Sequence, residues 1–474
     1  MNEYEMTIGI ECHVQLNTKT KLFSAVDNDA VDKEPNSCVS PIDYALPGML
    51  PVLNRSAVDK AILAGLAMNC TINLYSRFDR KHYYYPDLPK GYQISQMYKP
   101  IIGAGKIELP DGSSVRIEHA HLEEDAGKLS HFSDYSLVDL NRAGTPLVEI
   151  VSMPDIHSAT QARLYCEELH RLMMYAGVTN GDLYHGNMRF DVNISIAKKG
   201  SEKLGTRAEV KNLNSFRSVE RAANYEFERQ IAVLNNGETV KQETRGWNDN
   251  TGKTTAQRSK EEAQDYRYMP EPDVPPIMLE QVYIEQKAKE LPTMPGEYRK
   301  RFAVMELSES EFESILNHRI LAERLDEVLK KGVEVAVRVA HWFSGLLLAE
   351  ENIGKDFSLA TVSELAELSE MVGKNQLSST ASKEVFIALY DAKNTEKTPM
   401  ALAKEMNLLQ ENDTSALNAI IDEVLKMPEC AKAIEDVRNG EGKAIGFIIG
   451  QIMKKSKGKA NPAMVGQLVK QKLL

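Results

Sequence analysis

The segment Arg189–Ile196, RFDVNISI, alternates polar and apolar residues without a break. Successive side chains of a strand point to opposite faces, so this run predicts a strand that carries Asp191 beside apolar neighbours. Thr7–Leu16 alternates in part, with β-branched residues at Thr7, Ile8, Ile10 and Val14. Lys106–Leu109 and Val115–His121 read as a hairpin whose link, Pro110-Asp111-Gly112-Ser113, has good turn chemistry. Leu147–Val151 is a short apolar strand ended by Pro154, and Arg207–Lys211 is a candidate antiparallel partner of the RFDVNISI strand. Ser56–Met68 and Ser158–Tyr175 place apolar residues at helical spacing. The fold class is therefore α+β with antiparallel pairs, not a regular βαβ repeat.

The pattern changes near Leu291-Pro292-Thr293-Met294-Pro295-Gly296, and almost everything beyond it reads as helix. Thr361-Val362-Ser363-Glu364 is a capping box, and Thr398-Pro399 sets an N-cap before proline at the first helical position. A polar break at Gln410–Ser415 precedes a last helical segment. Three domains are expected: 1–294, a helical domain at 295–408, and a small helical tail at 409–474. A chain of 474 residues that is 42% hydrophobic can bury such cores without disulfides or metal.

The five cysteines are scattered, with no CxxC pair, which disfavours a disulfide framework and fits a reducing compartment. The first residues carry acids where a signal peptide needs bases, and the apolar runs are too short to span a bilayer. A cytoplasmic protein with no membrane partner is expected. The net charge of -11 excludes a wholly basic nucleic-acid coat but not a local basic patch.

Carboxylates and histidines gather at strand-like positions. Glu11 and His13 share one strand face, Glu118–Asp125 is dense in acids and histidines, and Glu149, Asp191 and Glu209 each sit between apolar residues. An unpaired carboxylate is costly to bury, so such acids need cations. Magnesium suits oxygen ligands and phosphate. Spacing alone leaves a metal site and a set of salt bridges equally open. No Walker A loop, GxGxxG turn or GxSxG elbow is present. The stretch from Arg77 to Gln93 interleaves cations with tyrosines, which suits either nucleic-acid contact or a packing corner. Residues Gly442–Leu474 hold seven lysines and no acid, which favours an anionic partner such as RNA. Gly442, Gly446 and Gly450 recur every four residues there, a spacing that would admit a close helix neighbour or expose backbone N–H groups to phosphate.

The chain closely resembles the family of B subunits of bacterial aspartyl/glutamyl-tRNA amidotransferases. The resemblance lies in GIECHVQL (Gly9–Leu16), LPGMLPVLN (Leu46–Asn54), FDRKHYYYPDLPKGYQISQ (Phe78–Gln96), LEEDAGK (Leu122–Lys128), SLVDLNRAGTPLVEIVS (Ser136–Ser152), RFDVNIS, AEVKNLNSF (Ala208–Phe216), DYRYMPEPD (Asp265–Asp273) and GKAIGFIIGQIMKKSKGKANP (Gly442–Pro462). It implies a cradle-like catalytic domain, a helical domain and a helical tail that grips tRNA. It implies ATP-dependent phosphorylation of the side-chain carboxylate of Glu-tRNA(Gln) or Asp-tRNA(Asn), then amidation with ammonia. That ammonia would come from a glutaminase partner, the family's A subunit, while a small C subunit would complete the heterotrimer. No amidase-type nucleophile loop is found in this chain. The family's magnesium ligands match Glu11, His13, Glu124 and Glu149, with Glu209 a weaker match; His13, Glu124 and Glu149 would serve catalysis. Lys81, Asp191 and Lys211 are assigned to ATP or substrate by motif position and charge. Lys454, Lys455, Lys457 and Lys459 are assigned to tRNA. Many members carry a cysteine zinc site near the LPGxLP segment. Here only Cys38 stands in that region, with Ser40-Pro41-Ile42-Asp43 where others place cysteine, so no zinc is expected.

Overall fold

The alternation of Met6, Ile8, Ile10, Cys12 and Val14 with Thr7, Gly9, Glu11 and His13 makes β1 (Tyr4–Gln15) a strand buried on one face only. It lies near the middle of an eight-stranded sheet in a computed structural model that describes residues 3–259, 265–352, 354–410, 414–438, 442–456 and 459–473. The other strands are β2 (Gly105–Glu108), β3 (Ser114–Glu124), β4 (Pro146–Ser152), β5 (Met188–Lys198), β6 (Ala208–Leu213), β7 (Glu243–Asn248) and β8 (Lys253–Ser259), in the order β8-β7-β6-β5-β1-β4-β3-β2. Neighbours run antiparallel except β6 and β7, which are parallel. Parallel neighbours need a crossover, and the helix between them supplies it. One βαβ unit thus sits in an otherwise antiparallel sheet, in keeping with the α+β reading of the sequence.

Three helices cover the apolar face: α1 (Arg55–Ala67), α2 (Ala159–Tyr175) and α3 (Phe216–Asn235). Each begins with a side-chain cap, from Asn54, Ser158 and Ser215. Their small and apolar residues, among them Ala61, Ile62, Ala162, Cys166 and Ala222, join Ile10, Cys12, Ile150 and Val192 in one core. The opposite face keeps the polar half of every alternating strand. A separate three-stranded sheet pairs Asp79–His82 with Tyr92–Ser95 on one side and Met269–Pro270 on the other.

The chain divides into two compact units, Met1–Gly296 and Glu297–Leu474. The second is helical. Its capping boxes at Ser308/Glu311 and Thr361/Glu364 are both formed, and Thr398 caps the helix that starts at Pro399. Its last helices build a core of their own from Leu417, Ile421, Val424, Ile448, Ile452, Val465 and Val469. No helix among the described residues is long and apolar enough to cross a membrane.

Candidate active site

Register places the polar residues of the central strands side by side. His13 lies opposite Glu149 on β4 and Arg189 on β5, while Glu11 lies opposite Asp191. His121 of β3 faces Glu149 from the other side. All these side chains leave the sheet on the face away from the helices.

They form two groups. In the first, His13 Nε2 is 3.4 Å from Glu123 and 3.7 Å from Glu149. His121 Nε2 is 3.2 Å from Glu149 and 3.7 Å from Glu123. Burial would favour neutral imidazoles, but the facing carboxylates push His13 up to about 8 and His121 up to about 10. Burial likewise opposes ionisation of Glu123, yet the hydrogen bonds to His121 and His13 hold it well below the usual carboxylate range. Two carboxylates in a dry setting need positive charge, which the facing imidazoles supply when protonated and which a metal ion would supply in their place, His13 then binding as the neutral ring. Buried His121 Nδ1 has no hydrogen-bond partner.

In the second group Glu11, Asp191 and Glu209 converge, with Lys211 Nζ 2.8 Å from Asp191 and 3.0 Å from Glu209. Burial first, then the charges of Glu149, Glu209 and Asp191, raise the pKa of Glu11. Asn193 donates to it at 2.9 Å. One lysine balances one of three carboxylates, so this group also calls for a cation. The groups share β1 and lie about 7 Å apart, two residues along a strand.

Both sets fit a divalent ion. Within His13/Glu123/Glu149 and within Glu11/Asp191/Glu209 one ligand atom from each residue lies within 4.8 Å of the others. That separation suits a coordination sphere of about 2.0–2.6 Å radius. The all-oxygen set matches magnesium; the set with an imidazole also accepts manganese.

His13 and Glu123 of the first group and Asp191 of the second line a cavity of 460 Å³, together with the cations Lys81, Arg189 and Lys211. Lys81 comes from the three-stranded sheet, and its ammonium lies 4.9 Å from the centre of the Tyr266 ring. Burial opposes its charge, but Glu123, Tyr268 and Glu149 raise its pKa to about 12. Arg189 is held by Asp125 at 2.9 Å. Tyr83 and Tyr266 supply aromatic surface.

Most residues singled out in the sequence meet here. Glu11, His13, Glu149, Asp191, Glu209, Lys81 and Lys211 are all in the two groups or the cavity wall. Glu124 is not. Its carboxylate accepts from Lys90 and from Ile94 N at 2.9 Å, on the opposite side of the strand. The structure brings Glu123, not Glu124, to His13. A shift in register between Ile117 and His119 changes which positions face the core: Val115 and Ile117 before it, Ala120 and Leu122 after it. Glu124 is in step with Ala120 and Leu122, and that phase was the available signal. Arg189 and Asp125, also not singled out, are within the motifs LEEDAGK and RFDVNIS.

The loop that carries Cys38 is held by Asp43, whose carboxylate accepts from Ser40 N at 2.8 Å and Ser24 Oγ at 3.3 Å and pairs with buried Lys21 at 3.4 Å. In the tail, Lys454 is exposed, Lys455 pairs with Glu423, and Lys459 donates to Asn407 at 2.7 Å. Lys457 lies outside the described residues. The run without acids in sequence thus meets acids in space, since Asp422 also pairs with Lys472. Gly446 and Gly450 face open space, so no helix packs on them among the described residues.

Residues 6–285 match the family described as "GatB/GatE catalytic domain", and residues 323–473 match the "GatB domain". A relative from Alkalilimnicola ehrlichii is 46% identical over 482 residues, covering 99% of both chains. One from Thermodesulfovibrio yellowstonii is 44% identical over 476 residues, covering 98% of both. One from Thermotoga maritima is 42% identical over 485 residues, covering 99% of both. All three are named as the B subunit of an aspartyl/glutamyl-tRNA(Asn/Gln) amidotransferase.

Proposed function

The chain belongs to the GatB family, and on that premise we propose that it is the carboxylate-activating subunit of a tRNA-dependent amidotransferase. Its substrates are Glu-tRNA(Gln), Asp-tRNA(Asn) or both, and ATP. The observation that carries this reading is a cavity lined by His13, Glu123, Asp191 and three cations, with Glu149, Glu11 and Glu209 grouped with those residues.

A carboxylate is a poor acyl donor, because oxide would have to leave. In the proposed reaction one oxygen of the substrate side chain bonds to the γ-phosphorus of ATP while the bond to the bridging oxygen of ADP breaks. Ammonia then adds at the acyl carbon and loses its extra proton, and inorganic phosphate leaves. Phosphoryl transfer is mostly a matter of positioning and charge. His13, Glu123 and Glu149 are the proposed holders of one magnesium ion, and Glu11, Asp191 and Glu209 of a second. Bound magnesium neutralises phosphate oxygens and orients them. Lys81, Arg189 and Lys211 add fixed positive charge where phosphate and carboxylate crowd together. Tyr83 and Tyr266 offer a stacking surface to a base. The amide nitrogen is supplied by the glutaminase partner, and the small third partner completes a heterotrimer.

The test combines this chain and its two partners with mischarged Glu-tRNA, glutamine, magnesium and γ-labelled ATP. The expected result is transient label on the glutamyl group followed by Gln-tRNA. Amide formation without ATP consumption would overturn the reading. So would rapid ATP turnover with neither charged tRNA nor partners, which marks a nucleotide hydrolase.

A further inference from the structure

The proposed chemistry gives His13 a part and leaves His121 none. Yet His121 is only 8% exposed, and a buried imidazole costs free energy unless its polar atoms find partners. It stands on β3 directly opposite Glu149 of β4. Its neighbours Ala120 and Leu122 are fully buried in the core beneath the helices, so the ring leaves the sheet on the polar face.

The contacts around it are divided atom by atom. His121 Nε2 lies 3.2 Å from Glu149 Oε2, within hydrogen-bond distance, and 3.7 Å from Glu123 Oε2. Ser95 Oγ, from the separate three-stranded sheet, donates to that same oxygen of Glu123 at 3.4 Å. His13 meets Glu123 at the other oxygen, Oε1, at 3.4 Å. Glu123 therefore turns one oxygen to His121 and Ser95 and the other to His13. A carboxylate gripped at one oxygen cannot swing, so its second oxygen stays aimed. The far side of the His121 ring is different. Its Nδ1 is buried without a hydrogen-bond partner, and the ring stacks on His119 with centroids 5.5 Å apart and planes 19° apart. Among the described residues the polar contacts of His121 are with the two carboxylates, and packing holds the ring from behind.

We propose that His121 is a positioning residue for the set His13, Glu123 and Glu149: it holds Glu149 and, together with Ser95, one oxygen of Glu123, so that the set keeps the spacing a divalent ion needs. The inference rests on the reading that this set holds such an ion, and it adds a residue that touches the ligands rather than the ion. Ser95 supports positioning over ligation, because a hydroxyl donor already shares the Glu123 oxygen that His121 faces. Partners of this kind, one step removed from a metal, commonly govern affinity by about 10–100-fold.

The experiment titrates the full-length chain with manganese and follows, by pulsed electron paramagnetic resonance, the nitrogen coupling of a directly bound imidazole. That signal reports the set containing His13 and is silent for the all-oxygen set Glu11, Asp191 and Glu209. The parent is compared with His121→Phe, with His121→Gln, which returns an N–H donor near the place of Nε2, and with His13→Gln. His121→Phe is expected to bind manganese about 10–100-fold more weakly, with the coupling of one imidazole kept at saturation. His121→Gln should restore most of the affinity, and His13→Gln should abolish the coupling. If a thermal melt shows that the Phe variant does not fold, His121→Ala takes its place with the same expected loss. Unchanged affinity in the folded variant would overturn the inference alone. So would tighter binding, which would make His121 a rival positive charge, and so would a Gln variant as weak as the Phe variant. Loss of one of two imidazole couplings in the Phe variant would make His121 a ligand and overturn it as well. A parent chain with no nitrogen coupling would overturn both the inference and the ion reading beneath it.

Discussion

Adjacent glutamates on β3 should behave as opposites toward magnesium. Glu123 faces His13 and His121, whereas Glu124 faces Lys90 and Ile94 N. Glu124→Ala leaves an ammonium whose side chain is 11% exposed without its carboxylate, and orphans a backbone donor. Breaking such a buried pair costs about 3–5 kcal/mol. At about 2–4 °C per kcal/mol for a unit of this size, Tm should fall by about 6–20 °C. The proposed ion site, His13, Glu123 and Glu149, is untouched in that variant. An ion that binds only the folded state adds RT ln(1 + [L]/Kd), about 2.7 kcal/mol at a hundredfold excess over Kd, so magnesium should still raise Tm by about 5–11 °C. Glu123→Ala should lose the increment of the ion proposed at His13, Glu123 and Glu149 and keep only that of the Glu11/Asp191/Glu209 set, whatever its effect on the baseline. Differential scanning fluorimetry of the three proteins with EDTA and with magnesium makes the comparison. A full magnesium increment in Glu123→Ala, or its loss in Glu124→Ala, would refute the assignment of faces.

Further outcomes follow from the same geometry. Lys211→Met leaves Glu11, Asp191 and Glu209 without their ammonium, so it should lower Tm in EDTA and recover with magnesium; with the proposed partners present, amide formation should fall by about 10²–10³, measured as Gln-tRNA produced. Gly105→Ala puts a Cβ 2.3 Å from Cys70 Sγ and 2.7 Å from its Cα, an overpacking cost of about 1–3 kcal/mol readable in a urea melt. Thr361→Ala removes the cap that accepts from Glu364 N and should cost about 1 kcal/mol in the helical unit. In the tail, Lys454→Glu should flatten the salt dependence of tRNA binding more than Lys455→Ala, because Lys455 must first leave Glu423.

Much of this site was legible in the sequence because strands write their two faces alternately. β1 and β5 put Glu11, His13 and Asp191 on one side of a line of apolar residues, and Glu149 stood out within LVEIV. Capping chemistry was local and equally readable at Thr361 and Thr398. What escaped were effects that neighbours in space impose. The register shift after Ile117 exchanged the faces of Glu123 and Glu124. The parallel pairing of β6 and β7 depends on where the crossover helix lands, which no local pattern records. The lysines of the tail looked uncompensated until the helix Thr414–Leu425 set Asp422 and Glu423 beside them.

The central claim is that a divalent ion sits between β1, β3 and β4 in contact with His13, Glu123 and Glu149. Anomalous diffraction from crystals soaked in manganese tests it directly. A peak within bonding distance of His13 Nε2 and one oxygen each of Glu123 and Glu149 is the expected result. No peak there, with both imidazoles still closed on the two carboxylates, would contradict it.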